Sequence, residues 1–204
     1  NFNQTEKKNF FCINIYVLAI HIASFSNKKA GKWVEGIKRI FDTISGQLNQ
    51  GEKRIWFHCA SSGEFEQARP LIDELKVKYS SLRIVITFFS SSGYELRKNY
   101  QNADYVFYLP ADTKRNAARF IKLVDPQLAI FVKYEFWVRY LLALKKNSIP
   151  AILISSIFRP DQVFFKWYGS LFRKTLNVYD QIFVQDNGSM QLLNSIGIND
   201  ITVA

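Results

Sequence analysis

Short apolar segments alternate with longer mixed segments from residue 51 to the end of the 204-residue chain. The apolar segments are rich in β-branched and aromatic residues and are apolar throughout, which is typical of parallel strands covered on both faces. They predict seven strands, at Ile55–Ala60, Arg83–Phe89, Tyr105–Leu109, Leu128–Val132, Ala151–Ser156, Gln181–Gln185 and Ile201–Val203. The segments between most of them predict helices near 64–79, 92–101, 113–124, 136–147, 161–178 and 187–196. Such repeated β–α units predict an α/β domain with a doubly wound parallel sheet.

The first fifth of the chain has a different pattern. Residues 9–27 carry no formal charge and are mostly apolar. As a helix these residues would reach about 28 Å, close to the hydrocarbon thickness of a bilayer. Four polar residues within the segment weaken a membrane-spanning interpretation: Asn14, His21, Ser24 and Ser26.

A basic amphipathic helix is predicted next. Apolar residues recur at helical spacing, at Trp33, Ile37, Ile40, Phe41 and Ile44, among charged ones. An apolar segment followed by such a helix favours attachment to an anionic membrane surface. A helix that packs on the domain is the alternative. The sequence thus predicts membrane-associated helices in residues 1–50 and one α/β domain in residues 51–204.

The overall charge and the cysteines restrict the function further. With 27 basic and 17 acidic residues the formal net charge is +10, which favours an anionic partner. Because the basic cluster adjoins an apolar helix, lipid is favoured over nucleic acid. Only two cysteines are present, Cys12 and Cys59, without CxxC spacing, and only two histidines. We therefore expect a reduced compartment, no metal site and no cofactor.

Ligands of doubly wound sheets bind in the loops at the carboxyl ends of the strands. Here those loops read ASSGE, SSSGYE, PADTK, KYEFW, SSIFRPD and QDNGS. None of them is a Walker A loop or a GxGxxG motif, so nucleotide binding by those motifs has no support in this chain.

Glu64 in the first loop has two interpretations. Ser61 and Glu64 have the spacing of a capping box, in which each side chain bonds a backbone amide at the start of a helix. Alternatively, Gly63 lets a substrate approach the backbone while Glu64 accepts a proton from a substrate hydroxyl. The spacing alone leaves both open.

Three other loops carry candidate binding groups. Ser91, Ser92 and Gly93 at a helix start form a seat for an anion or for sugar hydroxyls, or an ordinary polar turn. Glu135 lies between aromatic residues directly after a buried strand, where a carboxylate is costly unless paired or used on a ligand. Arg159 precedes a proline and either reaches a phosphate or lies in a solvated loop.

These loops resemble the amino-terminal half of the 3-deoxy-D-manno-octulosonic acid (Kdo) transferases. The similar segments are WFHCASSGEFEQARPLIDEL, TFFSSSGYE, YLPADT, IFVKYEFW and ILISSIFR, and the resemblance covers roughly residues 10–204. It implies an inverting glycosyltransferase of the GT-B type, with two Rossmann-like domains of which this chain is the first. It also implies transfer of Kdo from CMP-Kdo to a lipid A precursor at the cytoplasmic face of the inner membrane.

The resemblance assigns roles to matched positions. Glu64 matches the family's general base, within the motif Ser61-Ser62-Gly63-Glu64. Glu135 and Trp137 match a Glu-x-Glu-Leu-Trp-Pro motif, whose first Glu is Lys133 here and whose Pro is Val138. Glu135 is therefore expected to support the transition state. The acceptor-binding residues expected are Ser61, Ser62, Gly63, Ser91, Ser92, Gly93, Trp137 and Arg159.

The resemblance also implies a donor-binding domain beyond ITVA, where this sequence stops. The expectation is that CMP-Kdo binds mainly to that second domain and that this chain alone does not transfer Kdo. The alternative from another class is a basic Rossmann-like module that binds anionic lipid or nucleic acid without chemistry.

Overall fold

The computed structural model describes residues 27–133 and 137–204. Within these residues, the helices α1 (Lys28–Lys38) and α2 (Ile40–Gln47) precede the first strand. The strands and helices that follow are β1 (Arg54–Cys59), α3 (Ser62–Lys78), β2 (Arg83–Phe88), α4 (Ser91–Arg97), β3 (Tyr105–Tyr108), α5 (Lys114–Val124), β4 (Pro126–Val132), α6 (Val138–Lys146), β5 (Ala151–Ser156), a 3-10 turn (Val163–Phe165), α7 (Ser170–Leu176), β6 (Gln181–Val184), α8 (Asn187–Asn194) and β7 (Ile201–Val203). All seven predicted strands are confirmed.

The strands form a single sheet in the order β3-β2-β1-β4-β5-β6-β7. Every pair is parallel, and β1 lies in the middle, where Phe57 pairs with Ile86 of β2 on one side and Ile130 of β4 on the other. The chain order reverses between β1 and β4, so the loops leaving these two strands run to opposite faces and open a crevice between them. The predicted doubly wound α/β fold is confirmed.

Both faces of the sheet are covered, which explains why apolar residues predominate on both sides of its strands. Trp56 belongs to the core on one face and its neighbour Phe57 to the core on the other, and both are fully buried. All six residues of β1 are buried. A strand in this position has no solvent-facing side that would call for polar residues.

Helices α1 and α2 pack on the domain through their apolar face. Trp33, Ile40 and Ile44 are buried in the same core cluster as Phe107 of β3. Ile37 and Phe41, the other predicted apolar positions, are partly buried against the same core, so residues 28–47 pack on the domain as the alternative predicts. None of the helices in residues 27–133 and 137–204 has the length and apolar composition that a bilayer-crossing helix needs. The apolar segment predicted at 9–27 lies, except for Asn27, outside the described residues.

The continuous helix predicted for 161–178 is wrong. The chain instead makes the 3-10 turn Val163–Phe165, becomes extended at Lys166 and only then forms α7. At Gly169 the chain folds back so tightly that a Cβ would lie 1.9 Å from the Val163 carbonyl oxygen. The apolar residues Phe164 and Phe165 have helical spacing with later ones, but this close approach breaks the helix.

Candidate active site

The carboxyl ends of β1, β2 and β4 bring three of the predicted loops together at the crevice. Helix α3 starts directly after β1, α4 directly after β2, and α6 after the loop that follows β4. Since β2, β1 and β4 are consecutive in the sheet, about 4.8 Å separates neighbouring strands. Side chains from all three loops are therefore within reach of one small substrate group.

Glu64 lies in the first turn of α3 and caps it. Its Oε2 accepts a hydrogen bond from the Ser61 backbone N–H at 2.9 Å, and the Ser61 side chain accepts from the N–H of Glu64 in return. The predicted capping box is confirmed. Glu64 remains partly exposed and the preceding Gly63 is exposed. The carboxylate is thus held by its own helix at the mouth of the crevice.

The second loop packs directly on the first. The Ser90 side chain caps α4 by accepting the N–H of Gly93 at 3.1 Å. A Cβ at Gly93 would lie 2.7 Å from the Phe88 ring and 3.1 Å from the Ser62 backbone nitrogen, so only glycine lets the two helix starts approach this closely. Ser91 is 7% exposed whereas Ser92 is exposed. Of the three predicted binding residues in this loop, Ser92 is the one whose side chain faces solvent.

The third loop follows β4 and starts with a strained residue. Lys133 has φ of 64°, in the left-handed region, which costs a non-glycine residue roughly 1 kcal/mol. Glu135, the second predicted catalytic residue, lies in the undescribed segment 134–136. Trp137 is partly buried, and its ring meets those of His58 at 4.9 Å and Phe89 at 5.2 Å. These contacts make Trp137 a packing residue between the loops of β4, β1 and β2.

Asp112, in the PADT loop after β3, holds the start of α6. Its carboxylate accepts the backbone N–H groups of Arg139, at 3.0 and 3.1 Å to its two oxygens, and of Tyr140, at 3.1 Å. Removal of the carboxylate from water raises the pKa of Asp112 to about 6, although those two amides and the nearby Arg139 and His58 act in the opposite direction. The residue therefore fixes the helix that directly follows the segment carrying Glu135.

Sequence reasoning missed Asp112. The PADT loop is visible in the sequence, but no pattern along the chain indicates that this carboxylate meets backbone amides 27 and 28 residues later. The available signal was an aspartate directly after a buried strand, since such a group needs a partner.

A buried polar group lies behind the crevice. Thr87 Oγ1 accepts the indole N–H of Trp56 at 2.8 Å and lies 2.9 Å from His58 Nδ1. His58 is fully buried on β1. Threonine, tryptophan and histidine satisfy one another, so this group is part of the core and not a catalytic triad.

Arg159 lies away from the crevice, beyond the end of β5. It is exposed and lines a separate cavity between the β5 loop and α8. Among the described residues no three or more His, Cys, Asp and Glu side chains come close enough to hold a metal ion. Arg159 is the one predicted site residue in the described part of the chain that does not join the others.

Comparison with known proteins agrees with this architecture. The chain has the fold of UDP-N-acetylglucosamine 2-epimerase, with a TM-score of 0.56 at 14% identity over 74% of this chain and 48% of the other. MurG of Acinetobacter baumannii has a TM-score of 0.51 at 10% identity, again over 74% of this chain, and 44% of its own. At such identities the likeness shows the fold alone.

Curated sequence relatives are more specific. A protein named 3-deoxy-D-manno-octulosonic acid transferase from Aquifex aeolicus is 30% identical over 80% of this chain and 42% of its own length. The protein of the same name from Chlamydia muridarum is 28% identical over 82% of this chain and 40% of its own. The chain therefore spans less than half the length of these relatives.

A family model decides the assignment. The model described as 3-deoxy-D-manno-octulosonic-acid transferase (kdotransferase) matches residues 33–204, which include α2, the whole sheet and every loop of the crevice. The chain belongs to the Kdo transferase family of glycosyltransferases.

Proposed function

We propose that this chain is the acceptor-side half of an inverting enzyme that transfers Kdo from CMP-Kdo to a lipid A precursor (lipid IVA) in lipopolysaccharide core biosynthesis. The observation that carries the proposal is the position of Glu64. A carboxylate stands at the first helix start after the middle strand β1, beside the chain reversal where doubly wound sheets bind ligands. Membership of the Kdo transferase family supports the choice of reaction.

In this proposal Glu64 is the general base. The acceptor hydroxyl oxygen attacks the anomeric carbon of Kdo, the bond from that carbon to the phosphate oxygen of CMP breaks, and Glu64 takes the hydroxyl proton. Capping does not prevent this, because a carboxylate has about four lone-pair sites and the Ser61 amide uses one of them. The negative charge of departing CMP spreads over its phosphate, so CMP is a good leaving group and a weakly basic carboxylate is sufficient as the general base.

The neighbouring loops position the acceptor. Ser61, Ser62 and Gly63 line the α3 side of the crevice, and Ser92 provides an exposed hydroxyl on the α4 side. Ser91, Gly93 and Trp137 shape the crevice by packing. Glu135 supports the transition state from the β4 side. CMP-Kdo binds mainly through a second domain, and Lys28 and Lys32 on α1 face the anionic cytoplasmic leaflet of the inner membrane.

The substitution Glu64→Gln in the complete transferase tests the base. Glutamine at this position of a capping box still accepts the Ser61 amide, so the helix start is preserved while the base is removed. Removal of a general base costs typically 10²- to 10⁴-fold in turnover. We expect kcat to fall by that factor in a radiolabelled Kdo-transfer assay, with the unfolding midpoint nearly unchanged.

Glu66→Gln is the matched control. Glu66 lies on the same helix, two residues further, and is exposed in ion pairs with Arg69 and Arg97. Its substitution makes the same change in charge and is expected to leave turnover within a few fold. Full activity of Glu64→Gln would show that Glu64 is a cap and nothing more.

A further inference from the structure

A shallow cavity of about 570 Å³, open to solvent, lies at the same edge of the sheet as the crevice, between the loop after β5 and helix α8. Its volume is in the range of small-molecule binding sites, about 300–1,000 Å³. Ile157, Phe158, Pro160 and Leu192 give it an apolar lining, and Arg159, Asp186 and Gln191 contribute polar groups. An apolar surface with a few polar groups is the composition expected of a ligand site.

The β5 loop that forms one wall is fixed in place. The Phe158 backbone N–H donates to Ser189 Oγ of α8 at 2.8 Å, and Ser189 is fully buried. The Phe158 ring is 4% exposed and packs on Phe164 with ring centroids 5.8 Å apart. A ligand would therefore meet a formed wall and would not need to order the loop.

The two charged side chains of the cavity, Asp186 and Arg159, differ in how free they are to bind a ligand. The Asp186 carboxylate caps α8 by accepting the Ser189 N–H at 2.6 Å, and the start of the helix stabilises its negative charge. The Arg159 backbone N–H donates to Gln162 Oε1. Its guanidinium makes no hydrogen bond or ion pair within the described part of the chain, but it lies near the Asp186 carboxylate and, after the larger effect of Ser189, contributes to the lowered pKa of that group. The Gln191 amide likewise makes no side-chain hydrogen bond to the described residues. The groups left for a ligand are a guanidinium, which suits phosphate, and an amide, which suits hydroxyls.

A ligand that occupies the cavity and also reaches Glu64 must be long enough to span the distance between them. The sheet order places β5 two strands and β6 three strands from β1, so the cavity lies roughly 10–15 Å along the edge from the Glu64 loop. One sugar ring does not span this distance, whereas an oligosaccharide headgroup does.

We propose that this cavity binds the phosphate-bearing sugar of the saccharide acceptor, with Arg159 on the phosphate and Gln191 on a sugar hydroxyl, while another sugar of the same molecule reaches Glu64. This inference rests on the proposed function for the identity of the acceptor. The cavity is then an anchoring subsite that orients the acceptor without contact to the reacting atoms.

Binding of small probes to the 204-residue chain tests the proposal. The probes are glucosamine 1-phosphate, glucosamine and CMP. Their binding is followed through the backbone amide signals of residues 157–159 and 186–195 in heteronuclear NMR. We expect glucosamine 1-phosphate to shift these signals, and glucosamine to bind at least tenfold more weakly. Arg159→Gln should weaken the binding of glucosamine 1-phosphate at least tenfold, because a charge-assisted pair is lost. The control Lys146→Gln removes one positive charge at the opposite edge, in the last turn of α6, and should bind like the unaltered chain.

Two results would overturn the proposal. One is the absence of shifts at these amides with millimolar glucosamine 1-phosphate. The other is tighter binding of CMP than of glucosamine 1-phosphate at the same amides, which would assign the cavity to the donor. Glu64→Gln should bind glucosamine 1-phosphate normally, so loss of the subsite and loss of the general base are distinguished by separate measurements.

Discussion

Asp112 provides a test of how burial and hydrogen bonding compete for one carboxylate. The proposed perturbation is Asp112→Asn, which keeps the size of the side chain and one oxygen acceptor for the amides of Arg139 and Tyr140. Asparagine cannot ionise. The variant therefore mimics the neutral acid at every pH.

The magnitude follows from the pKa. Burial raises the pKa of Asp112 from 3.8 to about 6 in the folded protein. At about 1.4 kcal/mol per pH unit, this shift corresponds to up to about 3 kcal/mol. Between about pH 4 and pH 6 the folded state retains the proton and the unfolded chain does not. The stability contributed by this group therefore decreases as pH rises through that window, and it stays at its lower value above the folded pKa.

The assay is urea unfolding of both proteins at intervals from pH 4 to pH 8. We expect the free energy of unfolding of Asp112→Asn, minus that of the unaltered protein, to rise by up to about 3 kcal/mol between pH 4 and pH 7 and then to level off. Other carboxylates titrate equally in both proteins and cancel in this difference. Asp42→Asn, on the exposed face of α2, provides the baseline for an Asp-to-Asn change. If this difference in unfolding free energy stays constant or falls as pH rises, the reasoning is refuted. The hydrogen bonds from the start of α6 would then stabilise the ionised Asp112 at least as much as burial destabilises it.

Further predictions concern packing. Gly93→Ala should destabilise the protein by about 1–3 kcal/mol, because its Cβ would collide with the Phe88 ring and crowd the Ser62 amide. Gly46→Ala, at an exposed position of α2 where the new Cβ would meet no atom within 4 Å, should instead stabilise the protein by up to about 1 kcal/mol. Equal effects of the two substitutions in thermal unfolding would contradict this. Ile44→Ala should cost about 2–5 kcal/mol in urea unfolding, since Ile44 is fully buried, and a loss below about 1 kcal/mol would show that α2 does not pack as described.

The sheet could be predicted from the sequence because its strands are covered on both faces. A strand such as Arg54–Cys59, buried at every residue, has apolar neighbours on both faces, Ile55, Trp56 and Phe57, where a half-exposed strand would alternate. The capping box was predictable for another reason, since Ser61 and Glu64 interact over three residues and their spacing is the whole signal. A local interaction of this kind depends only on the spacing of residues along the chain, so the sequence alone can predict it.

Features that join distant parts of the chain were not predictable in the same way. The break before α7 depends on Gly169 meeting Val163 at a distance that only the folded chain defines. Asp112 and α6 are brought together by the arrangement of β3 and β4 around the sheet. The cavity beside Arg159 is formed by segments about 30 residues apart, so the sequence indicated the arginine without its surroundings.

The packing of α1 and α2 decides where the folding unit starts. Trp33, Ile40 and Ile44 share one core with the sheet, so the helix pair and the strands are expected to unfold together. A chain cut at Gly51 would lose these three side chains and expose the apolar surface that they cover. We therefore expect a cut at the predicted boundary, residue 50, to divide the folded unit, and a shortened protein for structural work to need α1 and α2.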